Sequence, residues 1–362
     1  MKKETVTTNQ ITEGVIWKQL LLFFFPIVLG TFFQQLYNTA DTIVVGRFVS
    51  KEALAAVGGS AAQIVGLIVG FFVGLASGAS VIISQFYGAK DRAQLNRALH
   101  TAYAFSIVGS IFITALGILI APWLLELMHT PQETMADALL YLRIYFAGII
   151  FVFIYNVGSS ILRAMGDSRR PLYYLIVCCI LNIVLDIVLV IVFHMGVAGV
   201  SIATIFSQGV SAVLITRALM RSDDLYQLEF RKIRFHKAAL FSLLWVGCPT
   251  GIQSVLYSVT NMLIQTFLNN LGTDTVAAWS AFGKIDSFYW MVNNAFGIAV
   301  TTFVGQNFGA GKYDRMKKSV RIGLCMGLCT ALTLTLIFYN FGTPLFRLFT
   351  SDENVVSIGM QM

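Results

Sequence analysis

The sequence predicts an all-α polytopic membrane protein, and its composition and apolar runs are the two observations that predict it. Of the 362 residues, 57% are hydrophobic and only 12% are charged, and the mean hydropathy of +0.75 lies far above that of soluble globular proteins. A helix needs ~20 apolar residues to cross a bilayer. Nine runs reach that length, near residues 20–46, 54–86, 99–121, 136–162, 172–193, 197–220, 240–268, 276–304 and 319–342. A tenth begins near Val355.

The loops rich in Lys and Arg follow every second predicted span. Cytoplasmic loops hold an excess of positive charge, so the basic loops predict one cytoplasmic side; they contain Lys90, Arg169, Arg170, the connection from Arg217 to Lys237, and Lys312. The N-terminus is therefore predicted to be cytoplasmic. Residues 1–18 form a charged lead-in without a signal-peptide layout. The net charge of +7 follows from this asymmetry, and no basic run with interleaved aromatics indicates nucleic-acid binding.

An internal repeat organises the chain. The segments LYNTADTIVVG, ALAAV, SQFYGAKDR and APWLLEL recur in order as LYSVTNMLIQ, VAAWS, GQNFGAGKYDR and TPLFRLF. The offset is 220 to 222 residues, and it pairs Tyr37 with Tyr257, Gln85 with Gln306, and Gly88 with Gly309. Because the offset spans six helices, an even number, both copies have one topology and are related by an axis along the membrane normal, as in some secondary transporters.

The repeat predicts the domain organisation. Residues 1–18 are a cytoplasmic segment, residues 19–235 a lobe of six spans with its polar connector, and residues 236–362 a second lobe that contains three spans and the start of a tenth. Twelve spans are expected from two complete six-helix lobes, and about nine to ten are present. We therefore expect the second lobe to be C-terminally incomplete.

Few acidic residues lie inside the predicted spans. An ionisable side chain there costs ~2.5–3.5 kcal/mol on insertion scales, so it usually faces a cavity or a partner. Gln34, Tyr37, Asn38 and Asp41 share a face of the first span by their spacing of three, four and seven. Asn182 and Asp186 form a one-turn pair on the fifth span. Counted from the outer helix ends, Asp41, Tyr141, Asp186 and Thr204 fall at a similar depth.

These oxygen-bearing side chains suit a small cation or a proton. The alternatives are structural: an interfacial carboxylate for Asp41, and a hydrogen bond to a neighbouring helix for Asp186. In the second copy the position of Asp41 is taken by Asn261. Lys284 and Asp286 are charged residues of the eighth span that either face a cleft, with Met291 and Asn294, or form a structural ion pair. Gly66, Gly70, Gly74 and Gly78 recur every fourth residue, which predicts close approach of another helix.

Several motifs together resemble the multidrug and toxic compound extrusion (MATE) family of transporters: the proline-bearing first span FFFPIVLGTFFQQLYNTADTIVVGR, the loop SQFYGAKDR, the turn RAMGDSRRP, and GQNFGAGKYDR. The resemblance implies two lobes around a cleft, alternating access, and export of amphipathic, often cationic compounds in exchange for Na⁺ or H⁺. It implies a cation site at Asp41, Asn182, Asp186 and Thr204, with Tyr37 and Tyr141 beside it. It also implies a location in a bacterial plasma or inner membrane. No cofactor other than the coupling ion and no second copy of the chain is expected.

A flippase, a channel and a membrane-embedded enzyme are the alternatives to this function. Some family members use acids on the seventh and tenth spans, but the seventh span here has none. A lipid-linked oligosaccharide flippase of the same superfamily should have a more cationic cleft than Arg143 and Lys284 provide. A channel differs in that transport cannot run uphill. A membrane-embedded enzyme would need a motif such as HExxH or a Ser/Lys pair inside the spans, and the sequence has none, so the protein is predicted not to be an enzyme.

Overall fold

The fold was obtained as a computed structural model that describes residues 10–222, 226–269, 273–347 and 352–361. Half of the predicted N-terminal segment, residues 1–9, lies outside the described residues, and so do Asp223 and Asp224 of the connector. Within those ranges the chain is a bundle of long α-helices joined by short loops. A mostly helical chain is expected, because in a bilayer every backbone polar group must be satisfied within its own segment.

The helices follow the predicted spans closely. In chain order they are α1 (Gln10–Glu13), which is short, then α2 (Ile16–Phe48), α3 (Lys51–Gly58), α4 (Ser60–Gly88), α5 (Arg92–Leu127), α6 (Gln132–Ala164) and α7 (Arg169–Asp186). Helix α7 continues as a π-helical segment, Ile187–Val192. The others are α8 (Gly196–Met220), α9 (Lys237–Asn269), α10 (Thr273–Gly309), α11 (Tyr313–Arg347) and α12 (Glu353–Gln361), and a 3₁₀ turn, Phe230–Lys232, lies in the connector.

Eight helical segments of the described chain are long and apolar enough to cross a membrane. They coincide with the predicted spans except the eighth, which α10 occupies. Helix α10 has 37 residues, ample length to cross, but Lys284, Asp286 and Asn294 interrupt its apolar run. The predicted tenth span begins as α12, at Glu353.

The helix boundaries repeat with the same offset as the sequence motifs. Helices α9, α11 and α12 begin 221 residues after α2, α5 and α6, and α10 begins 222 residues after α3. The parallel repeat is thus confirmed in the fold. The copies differ at Gly59, where the predicted span 54–86 breaks into α3 and α4, while α10 is continuous. A Cβ at Gly59 would lie 2.4 Å from the Ala55 carbonyl oxygen, so this break requires glycine.

Glycines bring α4 and α9 into backbone contact. A Cβ on Gly74 would lie 2.5 Å from the Gly251 Cα, and one on Gly78 would lie 2.5 Å from the Gly247 nitrogen. Side chains larger than hydrogen therefore cannot be accommodated at these crossings. The predicted close approach of another helix is therefore confirmed at Gly74 and Gly78. At Gly66 no atom lies within 4 Å of the added Cβ.

The two copies also meet reciprocally where α4 and α10 end. A Cβ on Gly88 would lie 2.0 Å from the Gln306 carbonyl oxygen, and one on Gly309 would lie 1.9 Å from the Gln85 carbonyl oxygen. These are repeat-equivalent positions, so a two-fold operation exchanges one contact for the other, as in an isologous interface. The contacts lie at the end of the bundle that carries loops 89–91, 165–168 and 310–312 and the described connector residues 226–236, which we call the basic end.

The first described residues are held at the basic end by hydrogen bonds from the second copy. Arg315 donates from Nε and Nη2 to the Ile11 carbonyl oxygen at 3.1 and 3.0 Å, and Lys312 donates to the Thr12 carbonyl oxygen at 3.1 Å. Further along, Phe24 of α2 stacks on Phe296 of α10 with ring centroids 4.1 Å apart. The N-terminal part of α2 therefore packs on the second copy, while the C-terminal part of α2 packs within the first.

Candidate functional site

A buried polar cluster lies where α2, α7 and α8 meet. It contains all four residues predicted to bind a cation: Asp41 is 7% exposed, Thr204 is 6% exposed, and Asn182 and Asp186 are fully buried. The Thr204 hydroxyl donates to Asp41 Oδ2 at 3.1 Å. The side chains of Asn182 and Asp186 lie close to the Asp41 carboxyl group, although no hydrogen bond among the described residues joins them to it. Helix α2 is thus brought together with the consecutive helices α7 and α8, which lie far from it in sequence, around two carboxyl groups.

Local helix structure positions these side chains. Asn182 and Asp186 are four residues apart on α7, so both face α2 and α8. Directly after Asp186 the chain widens into the π-helical segment Ile187–Val192, a feature that occurs frequently at functional sites. On α8 the hydroxyl of Thr204 also donates to the Val200 carbonyl oxygen at 3.0 Å, which fixes the orientation of that side chain toward Asp41.

The cluster has more acceptors than donors. Asp41 Oδ1, both carboxyl oxygens of Asp186 and both polar atoms of the Asn182 amide are buried without a hydrogen-bond partner among the described residues. Two ionised carboxylates cannot donate to each other, and a buried charge is costly unless it is paired. A proton shared by the two carboxyl groups, or a small cation held by their oxygens, would satisfy both. Carboxylate, amide and hydroxyl oxygens are the ligands that hard cations prefer.

A layer of aromatic and amide side chains encloses the cluster. Gln208 donates from Nε2 to the Tyr37 hydroxyl at 3.1 Å, and both residues are buried. Tyr141 stacks on Tyr145 with ring centroids 6.0 Å apart, and these residues are buried as well. Tyr37 and Tyr141 were predicted neighbours of the site. Gln208 and Tyr145 were missed, although each lies one helical turn after a predicted residue, Thr204 or Tyr141, which is the spacing that could have revealed them.

The other two predicted residues of α2 are not part of the cluster. Gln34 and Asn38 are exposed, and the Asn38 amide contacts Gln35 Oε1 at 3.5 Å. Successive helical residues are about 100° apart, so Tyr37 and Asn38, which are consecutive, lie at the two edges of a wide face. Tyr37 and Asp41 occupy the edge that faces α7 and α8, and Asn38 occupies the opposite edge.

The predicted residues of the second copy form no comparable cluster. Asn261, Lys284 and Asn294 are exposed, and Asp286 and Met291 are half-buried. Lys284 and Asp286 are two residues apart on α10, so their side chains point to opposite sides of the helix, and the ion pairs found among the described residues do not join them. The contact that links α9 to α10 here is aromatic: Tyr257 meets Trp290 edge-on, with centroids 5.3 Å apart.

Comparisons with known proteins agree with one another. The family model described as MatE matches residues 26–188 and 249–362. The probable multidrug resistance protein YpnP of Bacillus subtilis is 33% identical, over 97% of this chain and 78% of that protein. The probable multidrug resistance protein YoeA of the same organism is 28% identical, over 99% of this chain and 79% of that protein. A solved transporter of the MOP superfamily from Pyrococcus furiosus superposes with a TM-score of 0.90 at 23% identity, covering 99% of this chain and 80% of that one; at that identity the likeness shows the fold alone.

Proposed function

The chain belongs to the MATE family of multidrug transporters, and from this premise we propose that it exports amphipathic, often cationic compounds in exchange for H⁺ or Na⁺ by alternating access. One observation carries the ion-coupling part of the proposal. The oxygens of Asp41, Asn182 and Asp186 are buried together with unused acceptor capacity. A neutral structural role would not require two adjacent carboxyl groups at this depth.

The proposed roles of the residues follow from the contacts of the cluster. Asp41 and Asp186 take up the proton or cation, which neutralises their buried charge. The Asn182 amide oxygen and the Thr204 hydroxyl complete the set of oxygen donors, and the Tyr37–Gln208 pair closes the site on one side. No step of this scheme forms or breaks a covalent bond other than one to a proton, which fits a transporter rather than an enzyme.

Coupling is proposed to run through α2. This helix carries Asp41 near one end and packs on α10 through Phe24 near the other. Pro26 removes one helical hydrogen bond between them and permits a bend. An ion bound at the cluster and a drug bound between the lobes then favour different arrangements of α2, and the coupling is reciprocal because it is a difference in binding free energy.

The proposed orientation places the basic end and the N-terminus in the cytoplasm of a bacterial cell. The contacts between the two copies through Gly78, Gly88 and Gly309 lie toward that end, which fits a state that is closed to the cytoplasm. Because one chain supplies the whole cluster, we propose that it functions as a monomer.

Everted membrane vesicles provide the test. An imposed H⁺ or Na⁺ gradient should drive uphill uptake of a fluorescent organic cation by the parent protein. Asp41→Asn keeps the shape of the side chain but removes the charge that binds the ion, so uptake should fall to the level of vesicles without the transporter. The matched control is Asp137→Asn, which changes a half-buried carboxylate in the first turns of α6, and it should retain uptake. Gradient-driven uptake by Asp41→Asn at the parental rate would overturn the assignment, and downhill flux alone would indicate a channel.

A further inference from the structure

A crevice of about 350 Å³ opens on the outside of the bundle, between α5, α6 and α8. Ten described residues line it, and none of them belongs to the ion cluster or to the glycine contacts between the two copies. We propose that the crevice binds one anionic glycerophospholipid, with an acyl chain along its apolar wall and the phosphate against Arg217. The side of the membrane from which this lipid comes rests on the proposed orientation.

The wall of the crevice suits an acyl chain. Seven of the ten lining residues are apolar. The polar atoms of Tyr103 and Thr216 are already used, because the two hydroxyls hydrogen-bond to each other and Thr216 donates to the Ala212 carbonyl oxygen at 2.6 Å. Water in such a crevice would find few partners. Along α8 the lining extends from Ala212 to Met220, which corresponds to ~12 Å of helix.

The crevice opens toward lipid rather than toward the interior of the transporter. Val213 and Phe230 on its wall are 64% and 57% exposed. Helix α8 is one of the segments long and apolar enough to span a membrane, so an exposed valine on its outer face lies against the bilayer. Phe230 comes from the connector and covers the crevice at the basic end, where the headgroup layer begins.

Unpaired positive charge stands at this end of the crevice. Arg217 lies in the last turn of α8 and is exposed; Arg221 lies one turn beyond it, and Arg231 follows Phe230. None of these three guanidinium groups has an ion-pair or hydrogen-bond partner among the described residues. Arginine binds phosphate through two parallel hydrogen bonds, and basic pockets between membrane helices on the cytoplasmic side bind anionic headgroups.

The acidic side chain described nearby does not compensate this charge. Glu229 pairs with Lys232 at 2.5 Å, and that hydrogen bond holds the pKa of Glu229, which lies outside the membrane spans, below its usual range. The connector thus offers the arginines to an external anion. Because bulk lipid is as apolar as the crevice, an acyl chain gains only packing contacts on entering it, and the headgroup charge must supply the selectivity.

Native mass spectrometry of the purified full chain can test the proposal, with phosphatidylglycerol and phosphatidylcholine of identical acyl chains as probes. We expect one phosphatidylglycerol to be retained at a concentration lower than phosphatidylcholine by about fivefold or more, since one basic residue near the phosphate is worth about that factor. Arg217→Gln should abolish the preference. Arg169→Gln, which removes an exposed arginine elsewhere on the basic end, should keep it.

Two further measurements distinguish the parts of the site. Val213→Trp fills the crevice, so it should weaken retention of both lipids while the thermal unfolding temperature in detergent stays near that of the parent. Inorganic phosphate should displace phosphatidylglycerol weakly at most, because it gains no apolar contact; full displacement would overturn the role of the crevice. Equal retention of the two lipids by the parent and by Arg217→Gln would overturn the proposal as a whole. These measurements require no ion gradient, so they fail or succeed independently of the proposed transport.

Discussion

Helices α2 and α9 are equivalent in the repeat, yet they differ in what surrounds them. On α2, Tyr37 is 5% and Asp41 is 7% exposed. On α9 the equivalent Tyr257 is 47% exposed and Asn261 is exposed. The tyrosine is retained in both copies, whereas the carboxylate is present only where it is buried against a second one. The buried carboxylate thus lies where neighbouring helices supply polar partners for it.

The side chains that cover Tyr37 and Asp41 explain the difference. They come from α6, α7 and α8: Tyr141, Asn182, Asp186, Thr204 and Gln208. The described second copy extends to α12, the equivalent of the beginning of α6, so these covering positions have no described counterparts around α9. In contrast, the glycine contacts at the basic end are the same in both directions. The repeat is thus symmetric where the copies meet and asymmetric where ions are proposed to bind.

The largest expected effect comes from exchanging the side chains at positions 41 and 261. The double variant Asp41→Asn, Asn261→Asp moves the carboxylate to α9 without changing composition. We expect gradient-driven uptake to stay at background, because the polar side chains that α7 and α8 place around Asp41 have no described counterparts around position 261. Uptake of the fluorescent cation into everted vesicles measures this, with Asp41→Asn alone as the reference. Recovery of more than about a tenth of the parental rate by the double variant would mean that the copies are functionally interchangeable.

The reciprocal glycine contacts predict two equal losses of stability. Gly88→Ala and Gly309→Ala each place a Cβ within about 2 Å of a backbone carbonyl oxygen of the other copy, so the helices must separate. Overpacking of this kind costs ~1–3 kcal/mol and occasionally more. Equilibrium unfolding in mixed micelles should show the same loss for both variants.

Gly66→Ala is the control for this pair, because nothing lies within 4 Å of its added Cβ. It should leave the unfolding free energy unchanged or slightly improved, since alanine favours a helix interior more than glycine does. Losses for Gly88→Ala and Gly309→Ala that differ by more than about 1 kcal/mol, the low end of the overpacking cost, would contradict the two-fold relation between the contacts.

A smaller effect separates the two equivalent tyrosines. Tyr37→Phe removes the hydroxyl that accepts from Gln208 Nε2 at 3.1 Å and leaves a buried amide without its partner, which costs ~1–3 kcal/mol. Tyr257→Phe keeps the edge-on ring contact with Trp290 and removes an exposed hydroxyl, so its effect should lie within ~0.5 kcal/mol. Unfolding of both variants in the same micelles compares them directly. Similar costs for the two variants would show that the burial of Tyr37 confers no special role on its hydroxyl.

Much of the fold could be predicted from the sequence, because hydropathy, charge asymmetry and the repeat act over long segments. The helix bounds lie close to the predicted spans, and the repeat offset recurs in the helix starts. The break at Gly59 and the π-helical segment after Asp186 were not predicted. Both features depend on how one helical turn packs against its neighbours. Because the residues on either side are apolar, the hydropathy pattern gives no sign of them.

The candidate site was predictable in part. The one-turn spacing of Asn182 and Asp186 and the similar depth of Asp41 and Thr204 could be read along the chain, but their proximity could not, since it requires three helices to meet. The family resemblance supplied that expectation. The residues of α2 show the limit of reasoning from spacing: a face defined by four residues is wide enough that only Tyr37 and Asp41 reach the cluster, whereas Gln34 and Asn38 are exposed.

The smallest expected effect tests that division of α2. Asn38→Ala removes an exposed amide whose contact to Gln35, at 3.5 Å, is at the limit of a hydrogen bond, and alanine favours the helix interior by a few tenths of a kcal/mol. The unfolding free energy should therefore change by less than ~0.5 kcal/mol, and gradient-driven uptake should stay within about twofold of the parent, a change in activation free energy of ~0.4 kcal/mol. Tyr37→Phe in parallel gives the response of a residue that does contact the cluster. If Asn38→Ala reduced uptake as strongly as Asp41→Asn without loss of stability, the exposed edge of α2 would take part in ion or drug binding, and the site would extend beyond the buried cluster into the space between the two copies.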